Sequence, residues 1–287
     1  MSDQPVFDAR IHALPVPNWG LQVPNLTFWP EIQALGARLP PPWVEILRFA
    51  NRLPIALCAA LSGSPNAMEK ELRSINAQQG LFVPPPSPLE SDLPSLRAFR
   101  WISSYALKPT EAKPVDTLDT AFSTAPFQSL ILYPALMAPQ PTSSIFSPIF
   151  HWAAKHHIPV SLSLEASILF KRLSLTAFTH WFQEHPKTHF LIHVPGDTNL
   201  DSLLKTLTPY PNASLITGTL STETLSEFLI HSGPERLIFG SNWPFSGVSL
   251  QESVARVQAL QATKRTHANN IRSILWGNAT RLFQGEI

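Results

Sequence analysis

The chain has 287 residues, of which 44% are hydrophobic and 14% are charged, and its formal net charge is +1. This composition predicts a folded protein with a large apolar core and excludes a disordered chain. A near-neutral charge without a basic stripe gives no support for nucleic-acid binding.

The same survey predicts a cytoplasmic protein. The longest apolar runs, such as Pro54 to Leu61, fall short of the roughly 20 residues of a membrane helix. The first five residues lack the basic start and apolar stretch of a signal peptide, and the single cysteine, Cys58, cannot form an internal disulfide. No glycine-rich phosphate-binding motif occurs. We therefore expect no membrane partner and no nucleotide cofactor.

The N-terminal third contains several strand candidates and a proline-rich stretch. Val6 to Ala13 predicts a first strand, and residues 14–45 carry three tryptophans among many prolines. We interpret residues 14–45 as an ordered cap over the mouth of the fold, because disordered segments are poor in aromatic residues. The later strand candidates of this region are 54–61, 80–83 and 99–107. Together with the strands predicted in the rest of the chain, they make one strand more than an eight-stranded barrel needs.

The rest of the chain alternates short apolar runs with segments of helical spacing. The predicted strands are 129–136, 159–165, 189–195, 213–220 and 236–242. The predicted helices are 145–157, 175–185, 200–207, 222–230 with Ser221 as N-cap, and two more at the C-terminus. This alternation is typical of parallel strands joined by crossover helices, and we expect one α/β domain over residues 1–287.

Polar side chains stand where several of these strands end. In a parallel α/β barrel the carboxyl ends of the strands carry the functional groups. Arg10 and His12 are two residues apart on the first strand and therefore share one face. The corresponding residues on later strands are Tyr133, Ser163, Glu165, His193 and Asn242. We expect these groups to converge on one pocket.

Four segments give the sequence a family resemblance. They are Phe7-Asp-Ala-Arg-Ile-His12, Leu191-Ile-His-Val-Pro-Gly196, Leu237-Ile-Phe-Gly-Ser-Asn-Trp-Pro244 and Gly277-Asn-Ala-Thr-Arg-Leu-Phe283. In this order they resemble the amidohydrolase superfamily, in its amidohydrolase-related branch (amidohydrolase 2), which includes decarboxylases and lactonases. The resemblance implies a single (β/α)8 TIM barrel, with residues 14–45 as an N-terminal Pro/Trp-rich capping segment.

The sequence departs from the family pattern at three positions. The family has a His-x-His pair on the first strand, where this chain has Arg10 and His12. Ser163 stands where a metal-ligand histidine is expected, and Asn242 stands where the family has an aspartate that binds metal and accepts protons. The family's general acid/base histidine matches His193.

These departures predict a degenerate metal site. A catalytic zinc site keeps three protein ligands and a water. Here His12 is a good ligand, Asn242 is a poor neutral one, and the guanidinium of Arg10 adds a permanent positive charge. We therefore expect no catalytic metal and no other cofactor.

The resemblance and the departures together suggest a metal-independent enzyme that acts on a small carboxylated or carbonyl compound, by lactonase-type hydrolysis. Arg10 would bind the anionic group and His193 would transfer protons, while His12 and Asn242 orient the substrate. Substrate-binding candidates are Tyr133, Ser163, Glu165 and Trp243. A carboxylate, if one is needed, could come from Glu165 or Asp197.

Other functions stay open at this point. One is a pseudoenzyme barrel that serves as a binding or scaffold protein, and another is a decarboxylase-type lyase. A metalloenzyme with different ligands would need a new ligand cluster, and the sequence offers none. A homodimer formed through the barrel helices is suggested by analogy with such folds alone.

Each candidate also has a structural interpretation. Arg10 could form an ion pair with Asp8 or Glu165, and Asn242 could bind neighbouring loops. The tryptophans Trp19, Trp29 and Trp243 would pack in the core or the cap. Asn278 and Arg281 would dock the last helix. The histidines expected on helices, away from the site, are His151, His156, His157, His180 and His185.

Overall fold

The computed structural model describes most of the barrel. The described residues are 5–11, 65–82, 99–107, 113–134, 144–164, 174–196, 198–218, 220–242, 246, 248–263 and 266–284. Predictions for the cap at residues 14–45, for the strand candidate 54–61 and for Cys58 lie outside them.

Parallel strands form two sheets. The first contains β1 (Val6–Ile11), β2 (Ala77–Phe82) and β3 (Arg100–Ile102). The second contains, in spatial order, β4 (Ser104–Ala106), β5 (Ser129–Leu132), β6 (Val160–Ser163), β7 (Phe190–His193), β8 (Ala213–Ile216) and β9 (Leu237–Ile238). Every pairing that joins these strands is parallel, as the alternation of apolar runs and helical segments predicts.

Two connections join the sheets. The segment that we predicted as one strand over 99–107 is divided at Ser103, so that β3 pairs with β2 while β4 pairs with β5. At the other side, the backbone N–H of Ala9 in β1 donates to the carbonyl of Phe239, directly after β9, at 2.9 Å. The strands therefore follow one another in the order of a (β/α)8 TIM barrel, which is the fold of this chain.

Helices connect the strands. They are α1 (Pro65–Ser74), α2 (Pro114–Thr124), α3 (Phe146–Lys155), α4 (Thr179–Glu184), α5 (Leu200–Leu207), α6 (Thr222–Ser232), α7 (Leu250–Ala259), α8 (Ala268–Arg272) and α9 (Asn278–Gln284). The helix predicted over 175–185 begins as a 3-10 turn, Leu175–Phe178, before α4. A π-helical segment, Ser273–Gly277, joins α8 to α9. Among the described residues, no helix has both the length and the apolar character that a membrane crossing requires.

Successive side chains along a strand point alternately toward the helices and away from them, as β7 shows. Phe190 of β7 packs edge-on against Phe150 of α3 and close to Phe182 of α4, with ring centroids 5.2 and 5.0 Å apart. Ile192 belongs to the same buried cluster as these rings. Because successive side chains of a strand point to opposite faces, Leu191 and His193 face away from the helices. The packing of the helices thus determines which residues of β7 line the barrel.

Two buried polar residues fasten the last elements to the barrel. The guanidinium of Arg236, just before β9, donates to the carbonyls of Leu207, Thr208 and Tyr210 at the end of α5, and to Ala213 at the start of β8. The amide of Asn278 donates to the carbonyls of Pro234 and Leu237, each at 2.7 Å, and accepts from Arg281. The prediction that Asn278 and Arg281 dock the last helix is confirmed.

Candidate active site

The candidate site lies at the carboxyl ends of strands β5 to β9. His193 is the last residue of β7 and is fully buried, and Ser163, the last residue of β6, lies beside it in register. The carbonyl of His193 accepts from the N–H of Leu164 at 2.9 Å, which fixes the backbone of the histidine to β6. The structure therefore brings together two of the predicted site residues.

Asn242 is placed differently from our prediction. The sequence predicts a strand over 236–242, but β9 ends at Ile238, so Asn242 lies four residues beyond it. Its φ of +57° is in the left-handed region, which asparagine tolerates better than most residues. The residue is nevertheless only 2% exposed, and its backbone carbonyl accepts from the N–H of Ser246 at 3.0 Å.

Tyr133 directly follows β5 and is 8% exposed. It belongs with Ile131 to a small apolar cluster apart from the helix-facing core, so it also faces away from the helices. Three other predicted residues, His12, Glu165 and Trp243, lie outside the described part of the chain, as does Asp197. The backbone of Arg10 lies in β1, but its side chain is not among the described ones.

Hydrogen bonds join the ends of β8, β9 and β1 beside His193. The N–H of Thr217 donates to the carbonyl of Ile238 at 3.0 Å, and the N–H of Gly218 donates to the carbonyl of Gly240 at 2.8 Å. The hydroxyl of Thr217 accepts from the N–H of Gly240 at 3.2 Å. Thr217 is 2% exposed, so these bonds are shielded from water.

The same network reaches the first strand through Asp8. Its carboxylate is fully buried, and Oδ1 accepts from the backbone N–H of Ser241 at 2.9 Å. The sequence suggests Asp8 as a possible ion-pair partner for Arg10. Through this hydrogen bond Asp8 holds the segment between Gly240 and Asn242 against β1, which positions the predicted site residue Asn242.

Gly218 is the residue of this region that sequence reasoning missed. Its φ is +48°, and a Cβ atom built on it would lie 2.9 Å from Nε2 and 3.2 Å from Cδ2 of His193. The imidazole edge therefore lies directly against the backbone after β8. A glycine directly after an apolar run was the available signal, since such a glycine often marks a left-handed turn or a close approach.

A second histidine, His189, lies at the opposite end of β7. His189 precedes the strand, and its Nε2 lies 3.0 Å from the hydroxyl of Ser214. Burial, together with the positive charge of Arg236, lowers the pKa of His189 to about 4. The imidazole of His189 is therefore neutral at physiological pH.

Two of the histidines predicted on helices pack against aromatic rings outside the barrel. His156 stacks on Trp152 with centroids 4.4 Å apart, and His185 packs edge-on against Phe150 at 5.1 Å. Burial is the main cause that lowers the pKa of His185, and the neighbouring His151 adds to it. These residues serve packing, as the sequence predicts.

The described donor set does not suit a catalytic divalent metal of the family type. His193 offers one imidazole, while Ser163 and Asn242 offer a neutral hydroxyl and a neutral amide. A catalytic zinc site needs three good ligands, commonly histidine or carboxylate. Among the described residues, no group of three His, Cys, Asp or Glu side chains is placed to hold a metal ion.

Comparison with solved structures agrees with the barrel. An uncharacterised TIM-barrel protein from Bordetella bronchiseptica is 14% identical and matches with a TM-score of 0.64, covering 98% of each chain. A 2,6-dihydroxybenzoate decarboxylase in complex with 2,6-dihydroxybenzoate is 12% identical, with a TM-score of 0.61 over 100% of each chain. A probable 2-pyrone-4,6-dicarboxylic acid hydrolase from Acinetobacter baumannii, with citric acid bound, is 13% identical with a TM-score of 0.61, covering 97% of this chain and 99% of its own. At these identities the likeness shows the fold.

The comparison with protein families is more specific. No curated protein matches the chain in sequence. A family model described as amidohydrolase matches residues 97–285, which include β3 to β9 and both His193 and Asn242. Because this match covers more than half of the sequence, the chain belongs to the amidohydrolase family.

Proposed function

We propose that this chain is a metal-independent hydrolase of lactonase type that acts on a small carboxylated or carbonyl compound. The observation that carries the proposal is the position of His193: a fully buried imidazole at the carboxyl end of β7, where barrel enzymes place their catalytic groups. Two structural neighbours are described as enzymes of carboxylated aromatic or pyrone compounds, which supports this substrate class.

In the proposed reaction, Arg10 binds the carboxylate of the substrate. A guanidinium presents a planar pair of donors to a carboxylate and stays charged at every physiological pH. At this position of the family pattern it supplies the positive charge that a divalent ion would otherwise bring. It thereby orients a lactone carbonyl toward His193 without any metal ligand.

His193 then transfers the protons. Its neutral imidazole accepts a proton from water as the water oxygen attacks the lactone carbonyl carbon, which gives a tetrahedral oxyanion. The imidazolium then gives that proton to the ring oxygen of the lactone as the bond between this oxygen and the former carbonyl carbon breaks. The product is the open-chain hydroxy acid. General acid–base catalysis of this kind contributes typically 10²- to 10⁴-fold.

We propose Asn242, His12 and four further residues for the other requirements of this step. The amide of Asn242 can donate to the developing oxyanion, and His12 can hold the substrate. Tyr133, Ser163, Glu165 and Trp243 are the proposed substrate contacts. The described members of this set are buried, which favours a site from which bulk water is partly excluded.

The test is a panel of small lactones that carry a carboxylate, with hydrolysis followed as acid release in a pH-stat in the presence of EDTA. We expect turnover by the wild-type protein and a loss of about 10²- to 10⁴-fold in kcat for His193→Gln. His185→Gln is the matched control, because this histidine is also buried but packs outside the barrel. We expect it to keep the wild-type kcat.

Three outcomes would contradict the proposal. Failure to hydrolyse any lactone, with carboxylate binding retained, would favour the pseudoenzyme. Release of carbon dioxide from the acids would favour the lyase. Turnover that EDTA abolishes and zinc restores would show that the chemistry needs a metal ion.

A further inference from the structure

The imidazole of His193 lies against the one residue at the end of β8 that has no side chain. A Cβ atom on Gly218 would stand 2.9 Å from Nε2 of His193, closer than real Cβ atoms approach other heavy atoms. The next ring atom, Cδ2, would be 3.2 Å away. The Nε2 edge of the ring therefore occupies space that a side chain at position 218 would fill.

Hydrogen bonds hold the backbone on each side of this contact. The backbone of Gly218 is tied to Gly240 by its own N–H, and the preceding Thr217 is bonded to Ile238 and Gly240. On the other side, the carbonyl of His193 accepts from Leu164, and the residue is paired in register with Ser163. A steric conflict at this point must therefore be resolved by rotation of the imidazole.

We propose that Gly218 is a positioning residue for His193: its missing side chain and left-handed backbone form a fixed surface that sets the orientation of the imidazole. The inference about orientation stands on the contact alone. Its consequence for catalysis rests on the proposed function.

The size of the effect can be worked from the distances. Ordinary van der Waals contacts of a Cβ begin near 3.4 Å, so the Nε2 atom must move by about half an ångström to accept an alanine at position 218. A misplacement of about 1 Å in an active site can cost roughly 10²-fold in rate. We therefore expect Gly218→Ala to lower kcat by about tenfold, with a smaller change in KM.

The experiment observes the ring of His193 directly by NMR. Its imidazole signals are assigned by their loss in His193→Gln and are then compared between the wild-type protein and Gly218→Ala. Gly233→Ala is the matched control, because Gly233 also has a positive φ, of +82°, but a Cβ there would meet the side chain of Glu235. We expect the His193 signals to shift in Gly218→Ala and to stay unchanged in Gly233→Ala.

A double-mutant cycle keeps the test decisive if Gly218→Ala folds poorly. In the His193→Ala background the imidazole is gone, so Gly218→Ala should lower the melting temperature by less than it does with His193 present. The backbone strain of the left-handed residue is the same in both backgrounds and cancels.

The outcomes separate this inference from the proposed function. Unchanged His193 signals in Gly218→Ala, or equal losses of melting temperature in both backgrounds, would overturn the inference. Shifted signals in a protein that hydrolyses no lactone would support the inference and reject the proposed function. Lactone hydrolysis by a protein whose His193 signals are unchanged in Gly218→Ala would support the proposed function and reject the inference.

Discussion

Replacing Arg236 by methionine should destabilise the barrel strongly. Arg236 is 8% exposed, and its guanidinium donates to four backbone carbonyls, at 3.1 Å to Thr208, 2.7 Å to Leu207, 2.6 Å to Tyr210 and 3.1 Å to Ala213. Methionine fills a similar space but donates no hydrogen bond. The end of α5 and the start of β8 would therefore keep buried carbonyls without donors.

The magnitude follows from these bonds. Hydrogen bonds that involve a charged group contribute about 1.5–3 kcal/mol each, and they do not add fully when they share one donor group. Burial disfavours the charged form of Arg236 and lowers its pKa, so part of the stabilisation from the hydrogen bonds is offset. We expect a net loss of about 3 kcal/mol in the free energy of unfolding.

The assay is urea denaturation followed by tryptophan fluorescence. Arg73→Met is the control, because the Arg73 side chain is 68% exposed and pairs with Glu69 on the surface of α1, where such pairs contribute at most about 0.5 kcal/mol. A loss for Arg236→Met that is no larger than the loss for Arg73→Met would refute the reasoning.

Three further changes test other parts of the structure. The pKa of His189 is lowered from its ordinary value of 6.5 to about 4 in the folded protein, so between these pH values the unfolded chain binds more protons than the folded one. The free energy of unfolding should therefore fall as the pH decreases from 6.5 to 4. Urea titrations at several pH values should show a shallower fall for His189→Gln than for the wild-type protein. Asn278→Ala removes the donor to two carbonyls at 2.7 Å and should cost about 2 kcal/mol in the same denaturation assay, whereas the exposed Asn269→Ala should cost little. The carboxylate of Glu71 accepts from the N–H of Leu250 at 3.0 Å, at the start of α7. Glu71→Ala should therefore lower the free energy of unfolding by about 1 kcal/mol and speed amide hydrogen exchange at the start of α7. Unchanged exchange would contradict a stabilising role for this contact.

Much of the fold could be predicted from the pattern of apolar residues. The run from Ser129 to Leu132 is continuous and buried, which is typical of a strand covered on both faces, and β6, β7 and β8 follow the same rule. Ser221 caps α6 by accepting from the N–H of Thr224, as its residue type predicts. Local physics determines these elements, so the sequence reveals them.

The details of the site depend on contacts between strands and were harder to predict. The strand predicted to reach Asn242 ends at Ile238, because the N–H groups of Gly240 and Ser241 donate to side chains, the hydroxyl of Thr217 and the carboxylate of Asp8. The contact of Gly218 with His193 requires the register of β8 against β7, which no local pattern specifies. The division at Ser103 likewise results from pairing with two different neighbours.

Metal analysis of the untagged protein addresses the central claim most directly. If the guanidinium of Arg10 supplies the positive charge that a divalent cation would otherwise bring, elemental analysis of active protein should find zinc and manganese far below one ion per chain. One tightly held ion per chain, lost in His193→Gln together with activity, would contradict the account.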